Sequence, residues 1–381
     1  MSIPVSWLQI SKNKIRLLVA LAGIGFADIL MFVQLGFENA LFDSAVNLHE
    51  GFEGDVFLMS SQSNALIELE HFSERRLYQA LAVEGVESAT PVYIDFLTWK
   101  NPVEKNTRGV MVIGIDPSAE VFNLPGVAEN QEILKLEDYV LFDAKSRGEF
   151  GPIAQLYQEN GAVKTEVSDH KVTVGGLFEL GASFGSDGNL IASERTALRI
   201  TGREEGLIEV GVLNLEAGAN REAIIAKLRQ ILPQDVRIFS KEEFVNHERS
   251  HWQNSTSIGF VFTLGTAIGL VVGSVIVYQI LYTDVSDHLP EYATLKAMGY
   301  RESYFLKLVF QEALILAVLG FIPSAGVATV LYSMTQQATG IPLVMTATRL
   351  GNVFILTISM CMVSGAIAVQ RLAKADPADI F

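Results

Sequence analysis

Two long apolar segments, separated by a short charged connection, constrain this chain more than any other part of its sequence. Ser257–Leu281 contains no charged residue, and a run of about 20 such residues is enough to cross the hydrocarbon core of a bilayer. Leu306–Leu331 is interrupted only by Lys307 and Glu312. The pair predicts two membrane-spanning helices that are joined by a short polar connection.

Two further segments have the same character. Leu17–Phe37 and Leu350–Ala373 are also long and poor in charge, so the sequence predicts four spans. The mean hydropathy is +0.31 although 19% of the residues are charged, which means that the apolar residues are concentrated in these segments. Residues 38–254 separate the first two spans, and this polar stretch is long enough to form a domain with its own core.

The basic residues outside residues 38–254 indicate the orientation. They lie at the N-terminus, in the connection 282–305 or near the C-terminus: Lys12, Lys14, Arg16, Lys296, Arg301, Lys307, Arg371 and Lys374. The connection 332–349 has only Arg349. The positive-inside rule therefore places the connection 282–305, the N-terminus and the tail 374–381 in the cytoplasm of a multi-pass membrane protein, with the large domain on the other side of the membrane. That domain has 19 Lys and Arg against 35 Asp and Glu, and such an acidic surface argues against a nucleic-acid partner.

The N-terminal segment favours a retained anchor. Its apolar run is longer than the core of a usual signal peptide, and no A-x-A cleavage site follows it, although a cleaved signal peptide is the alternative. Residues 1–16 predict an amphipathic helix at the cytoplasmic interface, with Trp7 at headgroup depth; a plain basic flank is the alternative. Cys361 is the only cysteine, so no disulfide can form within one chain.

Within residues 38–254, a β-α-β pattern occurs twice. The first unit has a strand, a helix that Ser73 is expected to cap, and a hairpin; the second has a strand, a helix and a strand: Gly54–Ser60, Ser73–Ala82, Ala89–Trp99 with Arg108–Asp116, Gly206–Glu216, Asn220–Leu232 and Val236–Ser240. Short strands with glycine-bounded turns lie between the two units. The predicted fold class is an α+β membrane protein, with four transmembrane helices and a periplasmic split βαβ, ferredoxin-like subdomain that carries a small β-rich insertion. Glu38–Gly51 and Lys241–Asn254 are expected to be stalk helices that continue the first two spans.

The connection 282–305 contains a predicted amphipathic helix. Pro290 can open it and Gly299 can close it. Glu291, Leu295 and Met298 fall at i, i+4 and i+7, so they share one face of the helix. On this face, Leu295 and Met298 can serve as an apolar anchor for a partner protein, and Glu291 can make a charged contact at the edge of the same surface. Contact of this apolar pair with the membrane surface is the alternative. A helix held between two spans is suited to passing motion.

Two features of the spans remain open from the sequence alone. Asp28 lies near the middle of the first span, where a carboxylate raises the free energy of membrane insertion and is expected to face a polar partner or a water-filled cavity. Its role can be functional or purely structural. Gly265, Gly269 and Gly273 form a ridge of small residues in the second span. Such a ridge allows a helix to approach closely, either within the chain or from a second copy.

No catalytic constellation is recognisable in the sequence. There is no G-x-x-x-x-G-K-[ST] loop and no H-E-x-x-H motif, and the six histidines are scattered. The glycine-rich stretch from Gly175 to Gly188 does not have dinucleotide-binding spacing and predicts turns in a β-rich region. We therefore expect a non-catalytic subunit that contains no cofactor of its own.

The layout and several local motifs together resemble the FtsX/MacB-type ABC transporter permeases, and most closely the cyanobacterial DevC-type permease. The motifs are Phe26–Val46 (FADILMFVQLGFENALFDSAV), Ser60–Ser63 (SSQS), Leu141–Gly151 (LFDAKSRGEFG), Leu289–Tyr300 (LPEYATLKAMGY) and the terminal ADPADIF. This resemblance covers essentially the whole chain.

The resemblance implies a homodimer that works with two copies of a separate, DevA-like ABC ATPase, which binds the ATP. It also implies an inner-membrane location with the large domain in the periplasm, a DevB-like periplasmic membrane-fusion adaptor and a TolC-like outer-membrane duct. The family's ATPase-docking segment corresponds here to Pro290, Glu291, Tyr292, Leu295, Lys296, Met298 and Gly299. Motion of the ATPase would pass to the periplasmic domain by mechanotransmission, and the cargo of the DevC relatives is glycolipid.

Two other functions are compatible with the same layout. One is the permease of a lipoprotein-releasing transporter, which works with an outer-membrane lipoprotein chaperone. The other is an FtsX-like signalling scaffold that activates a cell-wall hydrolase. The partner proteins would separate these alternatives, and the sequence does not name the cargo.

Overall fold

The computed structural model describes residues 14–339 and 341–374. The predicted interfacial helix falls largely outside these residues, and so does most of the predicted tail. The helices are α1 (Lys14–Gly51), α2 (Arg75–Leu81), α3 (Val127–Asn130), α4 (Ile153–Asn160), α5 (Glu194–Thr201), α6 (Arg221–Ile231), α7 (Lys241–Ser250), α8 (Ser257–Asp287), α9 (Leu289–Ala297), α10 (Glu302–Thr339) and α11 (Ala347–Lys374). The strands are β1 (Val56–Ser60), β2 (Phe72–Ser73), β3 (Val86–Lys100), β4 (Thr107–Ile115), β5 (Tyr139–Asp143), β6 (Val163–Val167), β7 (His170–Phe178), β8 (Asn189–Ser193), β9 (Leu207–Ile208), β10 (Val210–Leu215) and β11 (Val236–Ser240).

Two compact units make up the described chain. Of the described residues, the first unit comprises 14–40, 257–337 and 343–374, and the second comprises 41–256 together with 338, 339, 341 and 342. Four helices of the described chain, α1, α8, α10 and α11, are long and apolar enough to cross a membrane. Helix α1 runs without a break to Gly51, as expected for an extension of the first span.

The second unit contains the predicted ferredoxin-like subdomain. Strands β11, β1, β10 and β3 lie side by side in that order, and every neighbouring pair among them is antiparallel. This is the strand order of a split βαβ fold, because α2 connects β1 to β3 and α6 connects β10 to β11. The two helices cover one face of the sheet, where Leu77 and Leu228 lie in one buried cluster with Leu58 and Leu213.

The insertion between β3 and β10 is larger than the sequence indicated. Strands β4, β8, β5, β7 and β6 continue the sheet from β3, and β6 then pairs with the far end of β3 at Trp99 and Lys100. The pairings therefore close into a ring of six strands. Trp99 is completely buried in the cluster of this ring, with Phe142 and Phe150, and its indole Nε1 donates a hydrogen bond to the Phe150 carbonyl at 3.1 Å. Closure removes one free sheet edge.

Two local expectations are wrong. Ser73 does not cap α2, because it pairs with Leu207 in a two-residue strand and Glu74 takes the N-cap position. Lys241–Asn254 is not one continuous helix with the second span. Helix α7 ends at Ser250, residues His251–Ser255 form a π turn, and Thr256 is extended, with φ −107° and ψ 155°. The π turn brings the buried Trp252 indole next to Glu248, to which it donates a hydrogen bond.

Candidate functional site: the connection between α8 and α10 and the polar contacts of the spans

Helix α9 is the central element of the predicted partner site. It spans Leu289–Ala297, and Gly299 follows it with φ +94°. The Tyr300 N–H donates to the Leu295 carbonyl at 3.2 Å, which completes the Schellman arrangement that ends a helix at a left-handed glycine. A side chain at position 299 would strain this conformation, so the sequence signal for the helix end has a direct structural basis.

One face of α9 is packed against the adjoining membrane helices. Tyr292 is only 4% exposed, and its ring lies 5.4 Å from that of Phe305, measured between centroids, at an angle of 62°. Val309 of α10 and Val369 of α11 belong to the same buried cluster. A displacement of α9 would therefore push directly on the ends of these helices.

The other face of α9 and the turn that follows it are exposed. Glu291 is exposed, Met298 is 70% exposed and Tyr300 is 45% exposed. Leu295, predicted as half of an exposed apolar anchor, instead packs in part against the Tyr292 cluster. The expected exposure of Leu295 is thus wrong: i, i+3 spacing would place Leu295 and Met298 on one face of a helix, but Met298 lies beyond the last helical residue. The docking role of the two residues stays a prediction. The side chain of Lys296 lies outside the described part of the structure.

A charged cluster that the sequence did not reveal lies next to α9. Arg16 of α1 forms ion pairs with Asp284, at 3.5 Å, and with Asp287 of α8. His288 Nδ1 lies 3.8 Å from an Asp284 carboxylate oxygen. Glu312 of α10 is completely buried and lies beside the Asp284 carboxyl group. Three membrane helices thus meet through charged side chains at the end of the bundle where α9 begins.

Asp28 is completely buried and has two hydroxyl partners. Thr357 Oγ1 of α11 donates to Asp28 Oδ1 at 2.7 Å, and Ser324 Oγ of α10 donates to Oδ2 at 3.2 Å. The residue thus faces protein partners, as the cost of a membrane-embedded carboxyl group requires. Because Asp28 lies on α1 and its two partners lie on α11 and α10, these hydrogen bonds join the three helices. These contacts are compatible with both roles that the sequence left open.

The glycine ridge of α8 is occupied within the chain. A Cβ atom added at Gly265 would lie 2.5 Å from the Gln34 side chain of α1, and one at Gly273 would lie 2.2 Å from Met360 Sδ. At Gly269 it would lie 3.3 Å from Met31. Of the two uses that the sequence left open, the structure shows the contact within the chain, with side chains of α1 and α11 lying against the ridge.

In the second unit, Glu248 of α7 is the centre of a buried polar cluster. Its two carboxylate oxygens accept hydrogen bonds from the Trp252 indole at 2.8 Å and from the Leu66 backbone N–H at 2.9 Å. His49 Nε2 lies 3.5 Å from the same carboxylate. Burial raises the pKa of Glu248 to about 7, although the two hydrogen bonds act in the opposite direction. The cluster ties α1, α7 and the segment around Leu66 to one another within this unit.

A second buried carboxylate lies in the ferredoxin-like sheet. Glu209 is 1% exposed; it accepts the Ile94 backbone N–H at 2.9 Å and pairs with Arg203 Nη1 at 2.8 Å. Burial raises its pKa to about 7 against these two contacts. Nothing in its surroundings resembles a reaction centre. Among the described residues, no three or more His, Cys, Asp or Glu side chains are grouped so that they could hold a metal ion.

These elements define a class of protein: a membrane protein of four long apolar helices, with a βαββαβ domain inserted after the first and a short packed helix between the second and third. Residues 258–377, which include that short helix, match the family model of the FtsX-like permease C-terminal region. Over these residues the chain is similar to the FtsX-like permeases, in agreement with the resemblance that the sequence motifs indicate. The closer likeness to the DevC-type permease stays a prediction.

Three solved structures match the chain at low sequence identity. The extracellular domain of the noncanonical ABC-type transporter YknZ from Gram-positive bacteria is 12% identical, with a TM-score of 0.34, over 49% of this chain and 99% of that one. The periplasmic region of MacB from Actinobacillus actinomycetemcomitans is 12% identical, with a TM-score of 0.35, and the match covers 56% of this chain and 99% of that one. A domain of a Porphyromonas gingivalis permease protein described as putative is 14% identical, with a TM-score of 0.28, and the match covers 50% of this chain and 87% of that one. No curated protein matches the chain.

Proposed function

We propose that this protein is the non-catalytic membrane subunit of an ATP-driven tripartite export system of the DevC/MacB type. The observation that carries the proposal is the two-sided helix α9 within the FtsX-like region: one face is packed against the membrane helices and the other is exposed. A separate ABC ATPase binds the exposed face, with Met298 and Tyr300 as apolar contacts and Glu291 as a charged one. The energy comes from ATP bound by that partner.

The proposed mechanism is mechanical. Closure of the ATPase displaces α9, and the contact between Tyr292 and Phe305 passes the displacement to α10 because packed side chains of this size leave no void to absorb it. The ion pairs of Arg16 with Asp284 and Asp287 bring α1 into the same motion. Helix α1 continues into the large domain, which is the part that handles the exported substrate.

The orientation and partners follow from the charges and from the family resemblance. The basic residues around α9 support a cytoplasmic position for this helix and a periplasmic position for the large domain. Two copies of the chain assemble with a DevA-like ATPase, a DevB-like adaptor and, through the adaptor, a TolC-like duct. A glycolipid is the substrate class that the DevC resemblance supports.

The test compares two substitutions of exposed apolar residues. Met298→Asp lies next to α9, while Val344→Asp lies in the connection between α10 and α11, and the two residues are 70% and 58% exposed. We expect Met298→Asp to abolish co-purification of the ATPase and the dependence of its ATP turnover on the permease. Val344→Asp should leave both unchanged, because the proposed orientation puts it on the opposite side of the membrane.

The proteins that co-purify in mild detergent separate the remaining functions. An adaptor supports the tripartite exporter. A lipoprotein chaperone with no adaptor would instead favour the lipoprotein-releasing permease, and a cell-wall hydrolase would favour the signalling scaffold. Normal coupling in Met298→Asp at wild-type levels of insertion would show that the ATPase docks elsewhere.

A further inference from the structure

Half of the lysines in the large domain lie around one cavity on the six-stranded ring. Residues 38–254 contain eight lysines, and four of them line a cavity of about 590 Å³: Lys100, Lys105, Lys164 and Lys171. The same stretch has 35 Asp and Glu against 19 Lys and Arg, so basic side chains are scarce in this domain. The four lysines therefore form a basic cluster on an acidic surface.

The register of the ring places three of these lysines around a single carboxylate. In the strand pairing, Glu166 of β6 lies opposite both Lys100 of β3 and Lys171 of β7. Lys164 lies two residues before Glu166 on β6. Residues that pair directly across strands, or lie two apart along one strand, share a face of the sheet. Since β6 alternates between buried residues and more exposed ones, this charged face is the outer face of the ring.

All three carboxylates that line the cavity already have a basic partner. Lys100 Nζ lies 2.6 Å from Glu166 Oε2. Glu137 and Asp138 both pair with Arg199, and the distance from Arg199 Nη1 to the Glu137 carboxylate is 2.9 Å. The carboxylates of the cavity are thus neutralised without the other three lysines.

The cluster consequently carries a net positive charge. In the part of the chain that the structure describes, the exposed Lys164 and Lys171 form no ion pair. The hydrogen bond and the charge of Lys100 lower the pKa of Glu166, partial burial opposes this shift, and the charges of Lys171 and Lys105 add to it. One carboxylate therefore faces three ammonium groups. An anion from outside the chain would relieve the repulsion among them.

The fourth lysine extends from a hydrogen-bonded turn between β3 and β4. Asn101 Oδ1 accepts the backbone N–H groups of Val103 and Glu104, at 2.9 and 3.1 Å. Lys105 has φ +64°, a left-handed conformation that is uncommon for any residue with a Cβ atom, and its Nζ donates to the Pro102 carbonyl at 2.6 Å. Val103 is 56% exposed. The turn thus adds an ammonium group and an apolar side chain at the edge of the cavity.

We propose that this lysine cluster binds an acidic segment of a partner protein on the side of the membrane where the large domain lies. Charge complementarity favours a carboxylate-rich segment, and the acidic surface around the cluster repels such a segment elsewhere. The lysines are spread over three strands and a turn, which suits an extended segment better than a small anion in an enclosed pocket. Val103 offers that segment an apolar contact. The site shares no residue with α9 and is additional to the proposed ATPase contact.

Binding of a fluorescein-labelled, glutamate-rich peptide tests the proposal on the full-length protein in phosphatidylcholine nanodiscs. Fluorescence anisotropy at low ionic strength compares the wild type with Lys164→Glu/Lys171→Glu. The matched control is Lys135→Glu/Lys227→Glu, which makes the same change in net charge at two exposed lysines outside the cavity. Lys164→Gln/Lys171→Gln removes the two charges without placing new carboxylates beside Glu166, so a folding defect in the first variant does not decide the result.

We expect the glutamate substitutions in the cluster to weaken binding about tenfold or more and the glutamine substitutions about threefold or more. The control should stay within about twofold of the wild type, and added salt should weaken wild-type binding. Absence of wild-type binding, or an equal loss in the control, would overturn the proposal.

Two further probes separate a protein segment from other anions. Competition by inorganic phosphate beyond that of chloride at equal ionic strength would indicate a small-anion site. Binding of phosphatidylglycerol vesicles that both cluster variants abolish would indicate a lipid site. Either result would overturn the proposal. Co-purification of the ATPase should be unchanged in both cluster variants, so failure of this site and failure of the contact on α9 are separate outcomes.

Discussion

Thr357 Oγ1 lies 2.7 Å from Asp28 Oδ1 in the interior of the membrane helices, and this hydrogen bond joins the first span to the fourth. The same hydroxyl lies 2.8 Å from the Val353 carbonyl one turn earlier in its own helix. Ser324 has a similar second acceptor, the Gly320 carbonyl at 2.7 Å. Both partners of Asp28 can therefore satisfy their hydroxyl protons without it.

Because each hydroxyl has a second acceptor, loss of Asp28 should lower the free energy of unfolding only modestly. Asp28→Leu removes the cross-helix hydrogen bonds but leaves no hydroxyl unpaired, so we expect a loss of about 0.5–2 kcal/mol in the free energy of unfolding. Asp28→Asn keeps a group that can both donate and accept, and should lose less. Thermal unfolding in detergent measures both. Thr357→Val combined with Asp28→Leu should cost less than the sum of the single changes, and strict additivity would contradict the contact.

The sequence predicted those parts of the fold whose signals are local. The length of the charge-poor apolar segments predicted the four spans. Strand-type sequence patterns and turn residues predicted the β3–β4 hairpin and both βαβ units. Closure of the six-stranded ring could not be predicted, because it depends on Trp99 meeting Val167 far along the chain. The end of α9 was predictable from Gly299, since a left-handed glycine is a local signal.

The burial of Leu295 shows why the candidate site was predicted only in part. Helical spacing places Leu295 on a face with Glu291, but it does not show that Phe305 and Val309 approach that helix from α10. The glycine ridge was likewise predicted only in part: the sequence shows a surface for close approach, while the identity of the approaching helix depends on the packing of all the spans.

The glycine ridge gives a sharp stability prediction. At Gly273, a Cβ atom would lie 2.7 Å from the Ala27 Cβ atom, and Ala27 is too short to move aside. Gly273→Ala should therefore lower the free energy of unfolding by about 1–3 kcal/mol through overpacking. The control is Gly326→Ala in α10, where an added Cβ atom meets nothing within 4 Å. Equal melting temperatures for the two variants would argue against the packing of α1 on α8.

The buried Glu248 makes the stability of the second unit depend on pH. Its pKa in the folded protein is about 7, above its ordinary value of 4.5, so the folded state holds the proton more tightly than the unfolded state. The corresponding stabilisation is fully present below about pH 4.5 and is lost as the pH rises through about 7. Between pH 5 and 8, we expect a decrease on the order of 1–3 kcal/mol in the free energy of unfolding.

Glu248→Gln should flatten this pH dependence, because the amide does not titrate. Trp252, which donates to Glu248, provides a fluorescence probe of unfolding in the full-length protein. Part of the dependence should remain in the variant, since burial also raises the pKa of Glu209 to about 7. Exposed Glu204→Gln is the control. An unchanged slope in Glu248→Gln would show that the cluster does not titrate in this range.

The last prediction separates packing from partner binding on α9. Leu295 and Met298 look equivalent in the sequence, but Leu295 packs partly against the Tyr292 cluster whereas Met298 is 70% exposed. Leu295→Asp forces a carboxylate into a partly buried apolar contact and should lower the free energy of unfolding by about 1–3 kcal/mol. Met298→Asp should change it by less than about 0.5 kcal/mol, as surface substitutions usually do. Thermal unfolding in detergent, measured without any ATPase present, compares the two directly. If Met298→Asp destabilised the protein as much as Leu295→Asp, its effect on ATPase coupling could no longer be assigned to a lost docking contact.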